Sequence, residues 1–255
     1  MALKNPLSMQ LYSARNFPPP EAQLASIRAI GFDNVETFGF WHDDPGATRK
    51  LLDTFGLTAK SGHFSLQAIE ADPARTAEIA REIGIEIVVA PYLEPGERPT
   101  TREKWEDLGA RLERIRERFA AEGLRFAWHN HDFEFEQLPD ASFPIQHVLG
   151  KNLLWEADLA WLARAGAAPR RWIEKFSGRI PLVHVKDIAE PGKGLDEDGW
   201  AVIGEGILPW RELWARCVAA GAEIMIAEHD NPKNFHRFAR ISEVAIRGFA
   251  KGASR

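Results

Sequence analysis

Residues 102–131, REKWEDLGARLERIRERFAAEGLRFAWHNH, hold one helix and the strand that follows it. Apolar residues recur every three or four positions in the first part, which predicts a helix over about residues 102–122 with one buried face. Gly123 suits the residue after a helix end, and LRFAWHNH then reads as a strand. The stretch therefore predicts a helix–strand unit whose strand ends in polar residues. The apolar face consists of Trp105, Leu108, Leu112, Ile115 and Phe119.

The same alternation of short apolar runs and longer amphipathic stretches recurs along all 255 residues. Eight such strand–helix units, of roughly 32 residues each, match the usual size of a closed eightfold barrel. A doubly wound sheet is disfavoured, because no Gly-x-Gly-x-x-Gly follows the first strand and no linker divides the chain. We expect an α/β protein, a single (β/α)8 TIM barrel over residues 1–255. The strands are expected in PLSMQLYS, NVETF, LTAKSGHFS, IEIVVAPY, LRFAWHNH, LLWEADLAW, RIPLVHVKD and EIMIAEHD.

Charge and cysteine content narrow the environment and the partners. Asp and Glu total 37 against 32 Lys and Arg, and the net charge of −5 gives no basic surface for nucleic acid. The one cysteine, Cys217, excludes an internal disulfide and fits a reducing compartment. No apolar run approaches the roughly 18 residues of a membrane span, and the start lacks a signal-peptide pattern. We expect a cytoplasmic protein without nucleic-acid or membrane partners; a homo-oligomer is left open.

Polar residues end nearly every predicted strand. In a TIM barrel these ends form the active site, so the residues should meet at one rim. Taken singly, Asp158 also suits a helix N-cap and Glu228 the N-terminal end of a helix dipole. Together the carboxylates would repel one another unless a divalent cation joined them. Carboxylates and imidazole without thiolates suit Mn²⁺, Mg²⁺, Co²⁺ or Zn²⁺. The strand-end groups include Gln10, Glu36, His63, His129, His131, Glu134, Glu156, Asp158, His184, Lys186, Glu228 and Asp230.

Several strings resemble the sugar phosphate isomerase/epimerase group of the xylose isomerase-like TIM barrel superfamily. They are HNHDFEF (129–135), ADLAW (157–161), HVKD (184–187) and AEHD (227–230). The strings QLYS (10–13), NVE (34–36) and GEG (204–206) fit the same pattern, so the resemblance covers nearly the whole chain. It implies one divalent metal ion (Mn, Mg, Co or Zn) that is held by Glu134, Asp158, His184 and Glu228, with His131 as the alternative ligand from strand five.

The resemblance further implies a sugar isomerase or epimerase that transfers a proton next to a carbonyl through a metal-bound enediolate. Glu134 and Glu228 would act as base and acid on the two faces of the substrate, while Lys186 and His63 would stabilise developing negative charge. Trp41, Trp161 and Trp200 are candidate apolar walls for a sugar. The residues expected to contact a small-molecule sugar or cyclitol are Gln10, Glu36, His129, His131 and Trp161.

Other functions use the same residues. A metal-dependent dehydratase or lyase acting on a keto-sugar, keto-glycoside or keto-cyclitol would need the same base and metal. An endonuclease IV-like repair enzyme is disfavoured by the negative charge, and a two-metal hydride-shift isomerase by the lack of an evident second ligand set. A non-catalytic sugar-binding protein is disfavoured because all four ligand positions are filled. Phosphate recognition stays open, since no Lys/Arg cluster lies clearly on the rim.

Overall fold

The computed structural model describes residues 7–252, in which eight parallel strands close into a barrel. Each strand pairs with its neighbours in chain order, and the last pairs with the first, which confirms the predicted (β/α)8 barrel. That residues 1–255 unfold as one cooperative domain stays a prediction. The barrel strands are β1 (Ser8–Gln10), β2 (Asn34–Phe38), β3 (Thr58–His63), β4 (Ile87–Ala90), β5 (Arg125–His129), β6 (Leu154–Asp158), β7 (Leu182–Val185) and β10 (Ile224–Ala227). A short antiparallel ribbon of β8 (Asp187–Ile188) and β9 (Trp200–Ala201) lies between β7 and β10.

Helices connect the strands. Several of them begin at a proline, whose fixed backbone angle and missing N–H suit the first helical position. In the part of the chain that the structure describes, no helix is long and apolar enough to cross a membrane. The helices are α1 (Pro20–Ile30), α2 (Pro45–Phe55), α3 (Leu66–Ala71), α4 (Pro73–Ile83), α5 (Arg102–Ala121), α6 (Pro144–Leu149), α7 (Leu159–Arg164), α8 (Pro169–Lys175), α9 (Trp210–Ala219) and α10 (Phe235–Gly252).

Helix α5 forms as its periodicity predicts, and its five apolar side chains are buried. Its packing against α6 depends on Gly109, because a Cβ there would lie 2.2 Å from the carbonyl oxygen of His147. Trp128 in β5 and Trp155 in β6 are fully buried, as expected for core residues. Trp155 packs edge-on against Phe176, with 5.5 Å between ring centroids, in the layer between barrel and helices.

The first strand is shorter than the predicted run. It ends at Gln10, because the Gln10 side-chain oxygen accepts a hydrogen bond from the backbone N–H of Tyr12 and thereby caps a 3-10 turn over Leu11–Ala14. This turn carries Tyr12 to the rim of the barrel, where it is 38% exposed.

One carboxylate holds the long loop after β7. Asp187 accepts hydrogen bonds from the backbone N–H groups of Ile188 (3.0 Å), Gly204 (3.0 Å), Gly206 (3.3 Å) and Leu208 (3.0 Å). Gly206 is required there, since a Cβ would lie 2.3 Å from Asp187 Oδ1. The loop predicted over residues 188–207 is therefore tied to the barrel at both of its ends.

Candidate active site

A cavity of 850 Å³ opens at the carboxyl ends of the strands. His63 and His129 end β3 and β5, Glu228 directly follows β10, and all three line the cavity. Trp161 and Trp200 form part of its wall, whereas Trp41 is buried elsewhere beneath Phe40. The barrel therefore brings imidazole, carboxylate and aromatic groups to one rim.

Three buried residues form what we call the metal group: Asp158, His184 and Glu228. One donor atom from each lies within 4.8 Å of the other two. The strand register places them together, because His184 in β7 pairs with Asp158 in β6 and with Ile226 in β10, two residues before Glu228. Residues two apart on a strand share a face, so all three side chains point into the barrel.

Asp158 forms the helix N-cap that was one of its two interpretations from the sequence. Its Oδ1 atom caps α7 by accepting hydrogen bonds from the backbone N–H groups of Ala160 (2.9 Å) and Trp161 (2.8 Å). Its Oδ2 atom is buried without a hydrogen-bond partner and lies 3.6 Å from the Lys186 ammonium. Burial raises the pKa of Asp158 to about 6, although Lys186 opposes the shift. The cap fixes the carboxyl group and leaves one oxygen available.

The imidazole of His184 lies between two carboxylates. Nδ1 is 2.8 Å from Glu228 Oε2, and Nε2 is 2.8 Å from Glu36 Oε2. Burial alone would lower the pKa of His184, but Glu228 and Glu156 outweigh it and raise the pKa well above its usual value. A ligand histidine commonly donates its second N–H to a carboxylate, and Glu36 stands where that acceptor is needed.

Lys186 lies one step nearer the rim than His184 on the same face of the chain. Its Nζ is 2.6 Å from Asp230 Oδ1 and 3.2 Å from Glu228 Oε2, and it lies 4.3 Å from the ring centroid of Trp200. Burial opposes the charged form, yet Asp230 and Glu228 raise its pKa. Lys186 is therefore a fully buried ammonium ion beside the metal group.

A second donor group adjoins the first and shares His184 with it; the other members are His63, His129 and Glu156. His63 Nε2 lies 2.6 Å from Glu156 Oε2 and 3.1 Å from Glu36 Oε2. Burial would lower the pKa of His63, but these two carboxylates raise it to about 10. Gln10 Nε2 donates to Glu36 Oε2 at 2.7 Å, so Gln10 and Glu36 lie beneath the cavity and support its imidazoles.

Glu134 lies away from both donor groups. It sits in a 3-10 turn, Phe133–Phe135, where its carboxylate accepts hydrogen bonds from Trp128 Nε1 (2.9 Å) and the backbone N–H of His131 (2.8 Å). Burial raises its pKa to about 8 against the effect of those bonds. The structure thus does not bring Glu134 to the other three expected ligands, because the turn directs its side chain into the wall behind β5. His131 itself lines the cavity but belongs to neither donor group.

Two buried residues had no assigned role in the sequence. Asn130 Oδ1 accepts hydrogen bonds from Trp155 Nε1 (2.8 Å) and the backbone N–H of Asp158 (3.0 Å), and Asn130 Nδ2 donates to the carbonyl oxygen of Asp158 (3.0 Å). Glu156 lies two residues before Asp158 on β6. The two-residue period of a strand would have placed Glu156 on the same inner face, whereas the role of Asn130 depends on cross-strand geometry that the sequence does not reveal.

A divalent cation fits the metal group. In this group Asp158 Oδ2 is buried without a hydrogen-bond partner; Glu36 Oε1 and Glu156 Oε1, which lie outside the group, are buried and unpaired too. Burying charges and leaving acceptors unpaired is unfavourable, and it favours partners that supply positive charge. Two carboxylates and one imidazole with no thiolate are donors that Mn²⁺, Mg²⁺, Co²⁺ and Zn²⁺ all accept.

Residues 24–246 match the family model described as the xylose isomerase-like TIM barrel. The chain is 26% identical over 188 residues to the rhizopine catabolism protein MocC of Rhizobium meliloti, a match that covers 67% of this chain and only 58% of that protein.

Solved structures share the fold at lower identity. A sugar phosphate isomerase/epimerase from Parabacteroides distasonis superposes with a TM-score of 0.79 at 17% identity, covering 94% of this chain and 93% of its own. The probable 3-DHS dehydratase AsbF from Bacillus anthracis gives 0.75 at 15% identity, with 94% and 98% covered. A xylose isomerase-like TIM barrel protein from Mycobacterium smegmatis in complex with magnesium gives 0.72 at 17% identity, with 98% of both chains covered. On the family match and this shared barrel, the chain belongs to the xylose isomerase-like TIM barrel family.

Proposed function

We propose that this protein is a divalent-metal-dependent isomerase or epimerase that moves a proton next to a carbonyl group of a sugar or cyclitol. The observation that carries the proposal is the convergence of Asp158, His184 and Glu228 beside a large cavity, with Asp158 Oδ2 buried and free of hydrogen bonds. Those three residues would hold the metal ion. When bound, the ion would act as a Lewis acid on the oxygen atoms of the substrate.

Glu228 is the residue we assign to accept the proton. It lines the cavity and is only 5% exposed. Burial would raise its pKa, but Lys186 and His184 lower it well below the usual value, so Glu228 is ionised at neutral pH. A carboxylate at the cavity wall can take a proton directly from a substrate carbon in contact with it.

His63 and Lys186 are the positively charged side chains that complement Glu228 in the proton transfer. His63 lines the cavity, and its pKa of about 10 keeps it protonated at neutral pH. We assign it to return a proton to the substrate, in the place that the sequence suggested for Glu134. The Lys186 ammonium faces the same region and would stabilise the negative charge that develops on the substrate oxygen. Trp161, His131 and His129 would contact the sugar, while Gln10 and Glu36 would hold the imidazoles in position.

Solvent exchange tests the reaction. With a keto-sugar substrate in D₂O, the wild-type protein should place deuterium on the carbon next to the carbonyl, which NMR detects. Glu228→Gln should lose most of this exchange even with saturating metal, because an amide cannot act as base. The exposed Glu205→Gln is the matched control and should exchange at the wild-type rate. Product that retains the migrating hydrogen would contradict proton transfer and favour a hydride shift.

Metal binding has its own test. A ligand that binds only the folded state stabilises it by about 2.7 kcal/mol at a hundredfold excess over its dissociation constant. EDTA should therefore lower the melting temperature of the wild type and of the exposed control His236→Ala, and should leave that of His184→Ala unchanged. An equal response to EDTA in His184→Ala and the wild type would contradict the assignment of His184 as a ligand.

A dehydratase or lyase is the second candidate. The observation that favours it is the position of His63 at the cavity wall beside Glu156 and Glu36, two carboxylates that raise its pKa, because elimination also needs an acid to protonate a departing oxygen. Such an enzyme would form an unsaturated product from a keto-substrate that has a leaving group beta to the carbonyl. Product analysis in the same exchange experiment distinguishes the two reactions.

A further inference from the structure

The long loop after β7 is attached in its middle to the segment that follows β10. Its middle part, residues 195–198, is what we call the loop tip, and it begins with the 3-10 turn Leu195–Glu197. Asp196 in this turn is exposed, whereas the Glu197 side chain turns inward and is 25% exposed. Glu197 Oε1 accepts a hydrogen bond of 2.7 Å from the backbone N–H of Lys233. One carboxylate therefore joins the loop tip to the chain beyond the last strand of the barrel.

His229 carries a second donor that faces the same carboxylate. Its Nδ1 atom accepts a hydrogen bond of 3.1 Å from the backbone N–H of Asn231, so the ring proton is on Nε2. This Nε2 atom is buried and has no hydrogen-bond partner among residues 7–252. Glu197 Oε1 lies 4.0 Å from it, about 1 Å beyond an ordinary N–H···O hydrogen bond. Because an unpaired buried donor is unfavourable, it favours an inward movement of the loop tip.

The loop tip, rather than His229, is the part that can close this distance. The His229 backbone N–H donates to Ser13 Oγ at 2.9 Å, and its ring packs edge-on against Phe238 with 5.4 Å between centroids. Together with the hydrogen bond from Asn231, these contacts fix the ring. The loop tip lies at the surface, where Leu195 is 76% exposed. A shift of the loop tip by about 1 Å would bring its carboxylate within hydrogen-bond distance of both donors.

Both ends of this contact lead to the cavity. Glu197 is followed directly by Asp198, which lines the cavity. His229 lies between Glu228 and Asp230, which line the cavity as well. The contact of Glu197 therefore sets the distance between the Asp198 carboxylate and the two carboxylates that follow β10.

The part of the loop next to the ribbon has its own attachment. Arg164 donates a hydrogen bond of 2.5 Å to the carbonyl oxygen of Asp198, and its guanidinium lies 3.6 Å from the centroid of the Trp200 ring. Gly199 makes room for this contact, because a Cβ there would lie 2.9 Å from Arg164 Nη2. Trp200 also belongs to β9, which pairs with β8. Loss of the Glu197 contact should therefore displace the side chain of Asp198 and leave Trp200 in place.

From these observations we propose that Glu197 is a positioning residue: its carboxylate binds the N–H groups of Lys233 and His229 and thereby holds Asp198 in the cavity wall. The inference rests on the proposed function, because Asp198 is assigned to bind a hydroxyl group of the sugar or cyclitol through its carboxylate oxygens. Glu197 acts on substrate binding, since Glu228 and His63 carry out the proton transfer.

Backbone hydrogen exchange, followed by mass spectrometry, tests the attachment without a substrate. In the full-length protein, Glu197→Ala should accelerate exchange in residues 189–199 about tenfold, because the loop tip loses its acceptor. Glu197→Gln keeps a side-chain oxygen that accepts from both N–H groups, so its exchange should stay within about twofold of the wild type. Asp196→Ala is the matched control and should also stay within about twofold, since Asp196 pairs with the exposed Lys233 ammonium.

Nitrogen-15 NMR of the histidine rings tests the role of His229. In the wild type the ring proton should lie on Nε2 and exchange with water about tenfold more slowly than in Glu197→Ala, because the carboxylate binds it. The signal that is missing from the spectrum of His229→Gln assigns this proton.

Steady-state kinetics separate positioning from a merely structural role. With a keto-sugar that the wild type turns over, Glu197→Ala should raise KM about tenfold and change kcat less than about twofold, because a binding contact is lost. Glu197→Gln should restore the wild-type KM, and Asp196→Ala should retain it.

Four results would overturn the inference: unchanged loop exchange in Glu197→Ala, equal acceleration in Asp196→Ala and Glu197→Ala, a His229 ring proton on Nδ1, or an unchanged KM in Glu197→Ala. Each of them leaves the proposed function standing if a keto-sugar still exchanges deuterium in the wild type. Conversely, the expected loop exchange and NMR results in a protein that exchanges deuterium into no keto-sugar would support the attachment by Glu197 and count against the proposed function alone.

Discussion

The barrel interior consists of two layers that the same strands build in opposite ways. On β4, β5, β7 and β10 the lower layer is apolar, and its side chains are Ile87, Val89, Ala127, Leu182, Ile224 and Ile226. The upper layer, nearer the carboxyl ends, is ionic and contains Glu36, His63, His129, Glu156, Asp158, His184, Lys186 and Glu228. On β7 a single two-residue step leads from Leu182 to His184. The lower layer stabilises the barrel by hydrophobic burial, whereas the upper layer opposes stability by burying charge, which is typical of residues kept for function.

The contributions of the two layers to stability are compared most directly by shortening one large side chain in each. Lys186→Met takes away the ammonium between Asp230 and Glu228 and should lower the free energy of unfolding by about 3–5 kcal/mol in EDTA, because buried carboxylates lose their partner. Leu182→Ala should cost about 2–5 kcal/mol by leaving a cavity. Urea unfolding measures both changes.

Metal distinguishes these two losses. Saturating Mn²⁺ should reduce the loss in Lys186→Met, because a cation at Asp158 and Glu228 replaces part of the missing charge. The loss in Leu182→Ala should be the same with Mn²⁺ and with EDTA. If Mn²⁺ leaves the Lys186→Met loss unaltered, the upper layer is not a cation site and the contrast between the layers is one of polarity alone.

A smaller effect is expected from the neutral part of the upper layer. Asn130→Ala leaves Trp155 Nε1 and the Asp158 N–H without their acceptor, and each unpaired buried group costs about 1–3 kcal/mol. It should also weaken metal binding, because the backbone of Asp158 is no longer held. Asn152→Ala is the control, since Asn152 donates to Glu113 on the surface. Wild-type metal affinity in a destabilised Asn130→Ala protein would restrict Asn130 to a structural role.

The last prediction concerns pH and Glu134. Its pKa of about 8 lies above the unfolded value of about 4.3, so the folded state binds the proton more tightly. This contribution to stability is full below about pH 4 and is lost as the pH rises to about 8. Wild-type stability minus that of Glu134→Gln should therefore fall between pH 5 and 8 and become constant above pH 8. Urea unfolding at five pH values measures the difference, and a difference independent of pH would show that Glu134 is ionised in the fold.

The sequence predicted the helices and strands, because their positions follow from hydrophobic periodicity. It also predicted which residues meet at the rim, because the strands of the barrel run in one direction. The helix predicted over residues 102–122 is Arg102–Ala121, and the eight strands occur where short apolar runs are bounded by turn residues. Asp158, His184 and Glu228 were identifiable because each lies at or beside the carboxyl end of a strand, where topology alone decides that they meet.

Side chains in turns after the strands could not be placed in this way. Glu134 and His131 are three residues apart in one motif, yet the 3-10 turn Phe133–Phe135 sends Glu134 behind β5 while His131 faces the cavity. Phe40 belongs to a similar short turn after β2, and its exposure follows from backbone angles rather than from hydrophobic pattern. Periodicity carries no information over three or four residues, so such roles depend on the three-dimensional structure.

The attachment of the loop after β7 to Asp187 bears on how this protein can change. Because one carboxylate binds the backbone at Ile188 and again at residues 204–208, the intervening segment is closed at its base. Residues 189–199, which precede the buried strand β9, can therefore be lengthened, shortened or exchanged while the distance between the loop ends stays constant. That segment contributes Asp198 to the cavity wall, beside Trp200 of β9. The ligand specificity of the cavity can therefore change through this loop while the barrel stays unaltered. Loop grafts that keep Asp187 and Gly206 are the direct route to new ligands.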